Sequence, residues 1–484
     1  MVTVFNVEGN GQLTLDSKGT SPFVVTPPTD AKKYVVVARY SAAGAVQWAV
    51  PILWSLDGTS NGLILGRGGP IVHGTSAITI GFGAVGTFGA PSPILGAVAQ
   101  PAAFVTVGAL RLTAAGVPVW GVHVQSMFPE FGDLAFPFVC ASASGRVGLV
   151  YTVLQDALAS YTAGIFRHNA GAEQLLPEVS EGLQVLIATF SLSGTLVDHG
   201  WVRAGAGFVV GTSCAIDDSG MIVAAGLAES ATIRAENRPG GPSLSRTFTF
   251  NGNETFGWLA AFTPTMAPSA VGAMGSSVAG SKNGINVVAL SADGTAIYAA
   301  GVSEGAISVA STADLIVRTL VQDLPPSEAI ARGVFIELDF GLRLEGGSRV
   351  RGASDSWIQT IVDNGDEVLV SGGGRDVDWG AIFYTDDVNN YFVGSVLKAS
   401  RTPSWGIPLA PVASAISGDF TAEAFELQTV SACPGAGGDV FVAGTAVQTV
   451  ELGWSSQTTI SPTATSAGFV GRLNSAGELV CTFE

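Results

Sequence analysis

The C-terminal stretch Gly468–Glu484, GFVGRLNSAGELVCTFE, carries the pattern that decides the fold. Residues 469–473 form an apolar run of strand length, and residues 478–483 alternate toward a second strand. Residues 474–477, NSAG, read as a turn, because glycine accepts a positive φ and asparagine tolerates it. The stretch therefore predicts a β-hairpin.

Copies of this hairpin recur along the chain. The clearest have a bulky residue four positions after the turn glycine, as in Trp48, Trp120 and Cys481. The seven copies are spaced about 72 residues apart, and such a period indicates a repeat architecture. The six upstream copies lie at 34–48, 104–120, 185–197, 258–262, 334–341 and 392–405.

A second hairpin pattern lies between these copies. A short strand leads through a Gly-rich turn, mostly with Asp or Asn, into another strand, which is a strong hairpin signal. Each repeat therefore holds two hairpins, or four short strands. The pattern is clear at 214–226, 287–301, 358–372 and 430–444; it also fits 2–15, and it fits 62–80 and 138–151 loosely.

Seven four-stranded units predict an all-β chain, folded as one seven-bladed β-propeller domain of antiparallel blades over residues 1–484. The sequence leaves open two ways of assigning the strands to blades. Either each blade starts at the second hairpin pattern, or residues 478–483 complete the blade begun by Val2 and clasp the ring shut. The expected blades are 1–55, 56–130, 131–206, 207–280, 281–354, 355–418 and 419–484.

The two patterns resemble a known family, the seven-bladed β-propeller repeats with units similar to DAFVAKLNPSG and VAVDSSGNVYVAG. Residues 468–477, GFVGRLNSAG, are similar to the first unit, and residues 215–226, AIDDSGMIVAAG, to the second. The resemblance covers the whole chain, with the second and third repeats degenerate. It implies a fold and no catalytic residues, because the shared positions are turn and core positions.

Long insertions fall between the second and third strands of a repeat, and we expect them to emerge at one end of the domain, where recognition loops commonly gather. Within them, 172–176, 312–316 and 326–332 suggest short helical turns. The insertions span 155–181, 227–255, 309–332, 374–390 and 445–466; exposed loops are also expected at 22–33 and 83–101.

Composition excludes some partners. The formal net charge is −17 and the chain has only five lysines, so it lacks the basic stripe that nucleic acid or an anionic membrane surface would need. Mean hydropathy is +0.42, yet no run of about 18 apolar residues predicts a spanning helix. Either small apolar residues fill the strands, or an apolar outer face is buried against partners.

The four cysteines lie far apart, at Cys140, Cys214, Cys433 and Cys481. We expect all four to be buried small hydrophobes, with no disulfide framework. The N-terminus lacks a basic segment followed by an apolar one. We therefore expect either a cytoplasmic or virion-associated protein, or one whose signal segment was removed before residue 1.

The best cluster of carboxylates combines Asp376 and Asp378 with Asp386 and Asp387. Such oxygen ligands could bind a cation, but the pattern favours a solvated loop. We therefore expect no metal and no cofactor. Other acidic residues, Asp217, Asp218, Asp293 and Asp363, fall in hairpin turns, where a carboxylate commonly accepts hydrogen bonds from its own turn.

No catalytic constellation emerges. His73, His123, His168 and His199 share no metal-ligand spacing. Residues 58–62, GTSNG, match GxSxG in letters but lie between turn pairs, whereas a nucleophile elbow needs a strand before it and a helix after it. The chain is therefore not expected to be an enzyme.

Aromatic residues leave one alternative open. Those in insertions could stack on sugars, whereas Trp48, Trp120 and Trp405 recur at one repeat position and are expected in the core or at a sheet edge. The insertion aromatics are Trp379, Phe383, Tyr384 and Trp454.

The sequence thus favours a non-enzymatic scaffold that presents a propeller face and loops to protein neighbours, with a virion component as one case, by analogy only. A glycan-binding propeller is the alternative, and a propeller lyase or hydrolase is the weaker third hypothesis.

Overall fold

A computed structural model gives the structure of the chain. It describes residues 2–9, 11–15, 22–28, 31, 33–41, 45–55, 64–65, 71–73, 77–85, 88–91, 97–98, 104–127, 137–155, 164–167, 171–175, 182–237, 241–250, 252–276, 278–320, 330–352, 355–411, 425–432, 440–446, 450–452, 458–460, 467–474 and 479–483.

These residues form β-strands joined by turns, with no helix among them, so the all-β prediction is confirmed. Accordingly, no helix of the described part has the length and apolar character needed to cross a membrane.

In chain order, the first twenty strands are β1 (Val2–Glu8), β2 (Leu13–Leu15), β3 (Phe23–Val25), β4 (Lys33–Tyr40), β5 (Val46–Ser55), β6 (Ile64–Leu65), β7 (Ile71–His73), β8 (Ala77–Val85), β9 (Phe88–Gly89), β10 (Ala97–Val98), β11 (Phe104–Thr113), β12 (Pro118–Met127), β13 (Phe138–Ala141), β14 (Val147–Gln155), β15 (Gly164–Arg167), β16 (Gly171–Leu175), β17 (Gly182–Phe190), β18 (Leu196–Ala204), β19 (Val209–Ile216) and β20 (Ile222–Ala228).

The remaining strands are β21 (Thr232–Glu236), β22 (Ser243–Thr247), β23 (Phe256–Phe262), β24 (Pro268–Ser276), β25 (Asn283–Leu290), β26 (Ile297–Glu304), β27 (Ile307–Ser311), β28 (Asp314–Thr319), β29 (Ala331–Leu338), β30 (Leu344–Arg349), β31 (Ser356–Asn364), β32 (Glu367–Trp379), β33 (Ile382–Leu397), β34 (Pro403–Pro411), β35 (Phe425–Ala432), β36 (Val440–Ala446), β37 (Val450–Leu452), β38 (Thr458–Ile460), β39 (Ala467–Leu473) and β40 (Leu479–Phe483).

Most strands belong to seven antiparallel meanders, which we call repeats 1 to 7, with strands a to d in hydrogen-bonded order. Repeat 1 has three described strands, b to d, and in repeat 2 the short β6 and β7 together form strand a. The repeats are β1-β4-β5, β6/β7-β8-β11-β12, β13-β14-β17-β18, β19-β20-β23-β24, β25-β26-β29-β30, β31-β32-β33-β34 and β35-β36-β39-β40.

The pairing of the first and last strands decides between the two assignments. β40 pairs with β39, with Cys481 opposite Arg472, and β1 pairs with β4, so repeats 2 to 7 begin at the second hairpin pattern. The hairpin expected over residues 2–15 is wrong, because β2 pairs with β3 and not with β1. The long N-terminal strand takes its partner from residues 33–39, which satisfy seven of its positions.

The insertions between strands b and c form hairpins instead of free loops. In repeats 2, 3, 4, 5 and 7 the hairpin continues the sheet of the preceding repeat by pairing with its strand d: β9–β10 on β5, β15–β16 on β12, β21–β22 on β18, β27–β28 on β24 and β37–β38 on β34. In repeat 1 the β2–β3 hairpin forms a two-stranded sheet of its own among the described strands. In repeat 6 the tip of β32–β33 makes the equivalent contact, where Asp378 bridges Arg351 just after β30. We call these elements the added hairpins.

Two predicted helical turns are therefore wrong. Residues 172–176 and 312–316 fall mainly in β16 and β28, because an unpaired edge of the preceding repeat supplies backbone partners for extended chain. Residues 22–33 and 83–101 likewise contain β3, β9 and β10. Of 326–332, only 330–332 is described, and it leads into strand β29.

The hairpin turns share one construction. The first turn residue is a Ser, Thr or Asp, and its side-chain oxygen accepts a hydrogen bond from the backbone N–H of the fifth residue. The fourth residue of the turn has a positive φ. In the turn between strands c and d, this left-handed residue is glycine in repeats 2 and 3, Gly116 and Gly194, but it is Met266 in repeat 4 and Leu342 in repeat 5. The last two carry buried side chains in a conformation that costs about 1 kcal/mol.

Packing between successive repeats explains where large residues stand at these turns. The Trp48 indole of repeat 1 lies against Gly116 of repeat 2, and its Nε1 donates to the Ala114 carbonyl at 3.0 Å. Trp120 of repeat 2 repeats the contact against Gly194, donating to the Leu192 carbonyl at 3.0 Å.

In later repeats the sizes are exchanged. The small residue now stands on strand d, and the large one stands at the turn of the next repeat. The pairs are Gly200 with Met266, Gly272 with Leu342, and Gly346 with Arg401. We call these contacts the junctions.

The chain divides into two compact units, one of residues 1–248 with 259–271, the other of 249–258 with 272–484. In the first unit, a core of residues such as Ile52, Phe82 and Phe88 joins repeats 1 and 2, and one containing Tyr151 and Trp201 joins repeats 2 and 3. In the second unit, Phe335 and Phe392 belong to a core that joins repeats 5 and 6.

The expectation for the cysteines is wrong for two of them. Cys140 of β13 and Cys214 of β19 form a disulfide, with a Cα–Cα distance of 5.6 Å across a sequence separation of 74. Distant cysteines in sequence meet here because repeats 3 and 4 pack face to face in the first unit. Cys433 and the side chain of Cys481 lie outside the description.

Candidate interaction surface

The predicted acidic cluster lies on the added hairpin of repeat 6. Asp376 and Asp378 are two positions apart on β32 and half-buried, opposite Thr385 and Phe383. The Asp378 backbone exchanges hydrogen bonds with Arg351, at 2.7 and 2.9 Å. Asp386 and Asp387 lie on β33, and their side chains fall outside the description. Among the described side chains, no group of three His, Cys, Asp or Glu residues could hold a metal ion.

The turn aspartates serve the hairpins in two ways. Asp217 and Asp293 accept hydrogen bonds within their own turns, as expected. Asp218 instead reaches repeat 3 and accepts the Ser144 N–H at 2.6 Å, and this hydrogen bond lowers the pKa of its carboxyl. Asp363 of repeat 6 likewise accepts the Ala292 N–H of repeat 5, so these two carboxylates link neighbouring repeats.

The two described aromatic candidates for sugar stacking differ in their exposure. Trp379 is buried, meets the Phe392 ring edge-on at 6.3 Å and donates to the Ser348 hydroxyl at 3.2 Å. Phe383 is 53 % exposed at the hairpin tip. The side chains of Tyr384 and Trp454 fall outside the description.

The described histidines are core residues of strands d. His123 of β12 and His199 of β18 are both buried, and they belong to different repeats. His199 meets the Trp201 ring at 6.3 Å. His168 and the side chain of His73 fall outside the description, as do residues 58–62, which carry the GxSxG letters.

An ion cluster that the sequence did not reveal attaches the added hairpin of repeat 4. Glu236 of β21 is buried and pairs with Arg203 of β18 at 2.8 Å and with Arg234 at 3.0 Å. Burial lowers the pKa of Arg203. The insertion sequence showed both charge signs, but it did not show that Arg203, outside the insertion, would complete the cluster.

A group of exposed apolar side chains marks repeats 2 and 3. Val117, just before β12, and Val119 of β12 are 57 % and 52 % exposed, and Leu192 and Val197 around the repeat 3 turn are 58 % and 47 % exposed. The Trp120 junction ties the two turns together through its hydrogen bond to Leu192. We call these four side chains the apolar patch.

The patch stands out against the equivalent positions of other repeats. Val119 and Val197 are the third residue after the left-handed turn residue. That position is exposed in every described repeat, so burial does not dictate its identity. The corresponding residues are polar in repeats 1, 4, 5 and 6, where they are Gln47, Ser269, Glu345 and Ser404, whereas repeat 7 has Val480 there.

Comparison with known proteins gives no family. No protein-family model matches the chain, and no curated protein matches it. Among solved structures, the chain is similar at 10 % identity to the extracellular domain of a protein described as a hybrid two-component system from B. thetaiotaomicron. That alignment covers 94 % of this chain and 78 % of the other, with a TM-score of 0.18.

Proposed function

We propose that the seven repeats are the blades of a closed seven-bladed β-propeller, and that the protein is a non-enzymatic scaffold holding protein neighbours in a larger assembly. The recurrence of strands a to d and of the added hairpins supports the blade assignment. A virion is one assembly that such a scaffold would suit.

The apolar patch is the observation that carries the scaffold proposal. Four large apolar side chains, each about half exposed, lie on two packed repeats, and two of them, Val119 and Val197, occupy a position that is polar in repeats 1, 4, 5 and 6. Aliphatic side chains concentrated on a surface mark protein contacts more often than sites for polar ligands.

Site-specific photo-crosslinking in the native source tests this proposal. A photoreactive amino acid replaces Val119 in one variant and Ser404 in another; the second is the matched control, since both positions follow the turn by three residues. We expect a defined protein adduct from position 119 and none from position 404. Equal labelling at both positions, or none at 119, would contradict the proposal.

A glycan array with light scattering provides the second arm of the test. The glycan alternative needs exposed aromatic faces, and Trp379, the one insertion tryptophan that the structure describes, is buried. A stable monomer that binds one sugar, without crosslinking at Val119, would replace the scaffold proposal with a lectin function.

A further inference from the structure

The Cys140–Cys214 bridge joins strand a of repeat 3 to strand a of repeat 4. Both residues are buried, 6 % and 8 % exposed. A disulfide between strands of different sheets constrains their separation directly, in addition to restricting the unfolded chain.

The surroundings of the bridge leave room for it. Gly148 lies directly opposite Cys140 in the β13–β14 pairing, and a Cβ at position 148 would come within 2.7 Å of the Cys140 sulfur. Ala224, another small residue, lies opposite Cys214 in the β19–β20 pairing. The absence of larger side chains at both positions gives the sulfur atoms their space.

The strand that the bridge holds is weakly attached by backbone pairing. β13 has four residues, all paired with β14, whereas the corresponding first strands β19, β25 and β31 have eight, eight and nine residues. A short edge strand with few hydrogen bonds belongs to the parts of a fold that open locally at low cost.

We propose that Cys140–Cys214 is a redox lock on β13. In the oxidised protein the bridge pins β13 between β14 and β19; in the reduced protein β13 opens as a local unit while the other strands of repeats 3 and 4 stay paired. The lock implies a life stage in an oxidising setting, because cytosolic reductants keep thiols reduced.

Closing the lock removes two electrons and two protons from the two thiols. The oxidant is the disulfide of a thiol–disulfide oxidoreductase, which is reduced to its dithiol after a mixed disulfide with one of the two cysteines. Since both sulfur atoms are buried, this exchange requires β13 to be displaced, so the same opening controls oxidation and reduction.

Hydrogen exchange of the full-length protein, with and without reductant, tests the lock. We expect reduction to raise exchange at residues 138–141 roughly 100-fold, as loss of a constraint of this kind allows, and to leave β25 unchanged. In a Cys140→Ser/Cys214→Ser variant, exchange at 138–141 should be fast with or without reductant, which controls for the reductant itself.

Thiol titration of the unfolded wild-type chain provides a readout that needs no variant. Protein from an oxidising source should yield two fewer reactive thiols before reduction than after it, and peptide mapping should place the bridge at Cys140 and Cys214. Four free thiols in such protein, or equal exchange of β13 in the two redox states, would overturn the lock.

Discussion

At the scale of single residues, the junctions explain why particular glycines and tryptophans recur. A large side chain on one repeat needs an empty position on the next, so Trp120 faces Gly194, and Leu342 faces Gly272 where the sizes are exchanged. The sequence revealed the Gly–Trp form because glycine marks turns. The junctions with the large residue at the turn could not be recognised in this way, because Met266 and Leu342 do not resemble turn residues.

The turns at Met266 and Leu342 can still be recognised from the sequence. Thr263 and Asp339 stand three residues before the left-handed Met266 and Leu342, and their side-chain oxygens accept the same hydrogen bond as Thr113 does in repeat 2. A search for Ser, Thr or Asp at that spacing, instead of for glycine, finds these turns.

Replacing glycine at a junction should cost more than replacing it at an open turn. Gly194→Ala places a methyl group against Trp120 at a φ of +79°, so we expect a loss of about 2–4 kcal/mol in unfolding free energy. Gly365→Ala is the matched control, because Gly365 has a φ of +72° and open space around it. Its loss should be about 1 kcal/mol. Urea unfolding measures both, and equal losses would argue against the junction.

Acid should weaken the turns through Asp293. Hydrogen bonds from Ser291 first, and then from Thr295, lower its pKa from 3.8 to about 2. A carboxyl group whose pKa is lower in the folded state stabilises the fold at pH values above its unfolded-state pKa. This contribution is lost as the pH falls from about 4 to about 2. We expect Asp293→Asn to reduce the pH dependence of the urea midpoint within that window. An unchanged dependence would show that the turn does not favour the charged form.

At the scale of elements, the strands and their hairpins followed from the sequence, but the added hairpins did not. Alternating apolar residues and turn glycines are local signals, so β17–β18 and β25–β26 were predictable. The insertion at 227–255 forms a hairpin that pairs with the free edge of β18. The two paired strands lie about thirty residues apart in the sequence. Such partners are invisible to a local pattern.

The ion cluster should hold the added hairpin of repeat 4 on its acceptor strand. Glu236→Gln leaves Arg203 without its buried partner, so we expect a loss of about 3 kcal/mol and faster hydrogen exchange in β21 before other strands of the first unit. Arg234→Gln is the control, because Arg234 is 47 % exposed and its pair is worth less than about 1 kcal/mol. Similar losses for both variants would contradict a buried role for Glu236.

At the scale of the whole molecule, a period of about 72 residues is the basis for the proposal of seven blades, because a unit of four short strands buries its apolar faces only against neighbouring units. The candidate surface was less predictable. The apolar patch depends on which residues face outward. Val119 is exposed, whereas Trp120, the next residue in the sequence, is buried. The acidic residues of the cluster could be identified from the sequence, but their location on a paired hairpin could not.

An experimental structure of the full chain, by crystallography or cryo-electron microscopy, tests the proposal that the seven repeats close into a ring. We predict seven antiparallel sheets arranged radially about one axis, with the strand a edge of each sheet nearest that axis. Sheets stacked as a sandwich, an open row of repeats, or substantial helix would contradict the claim.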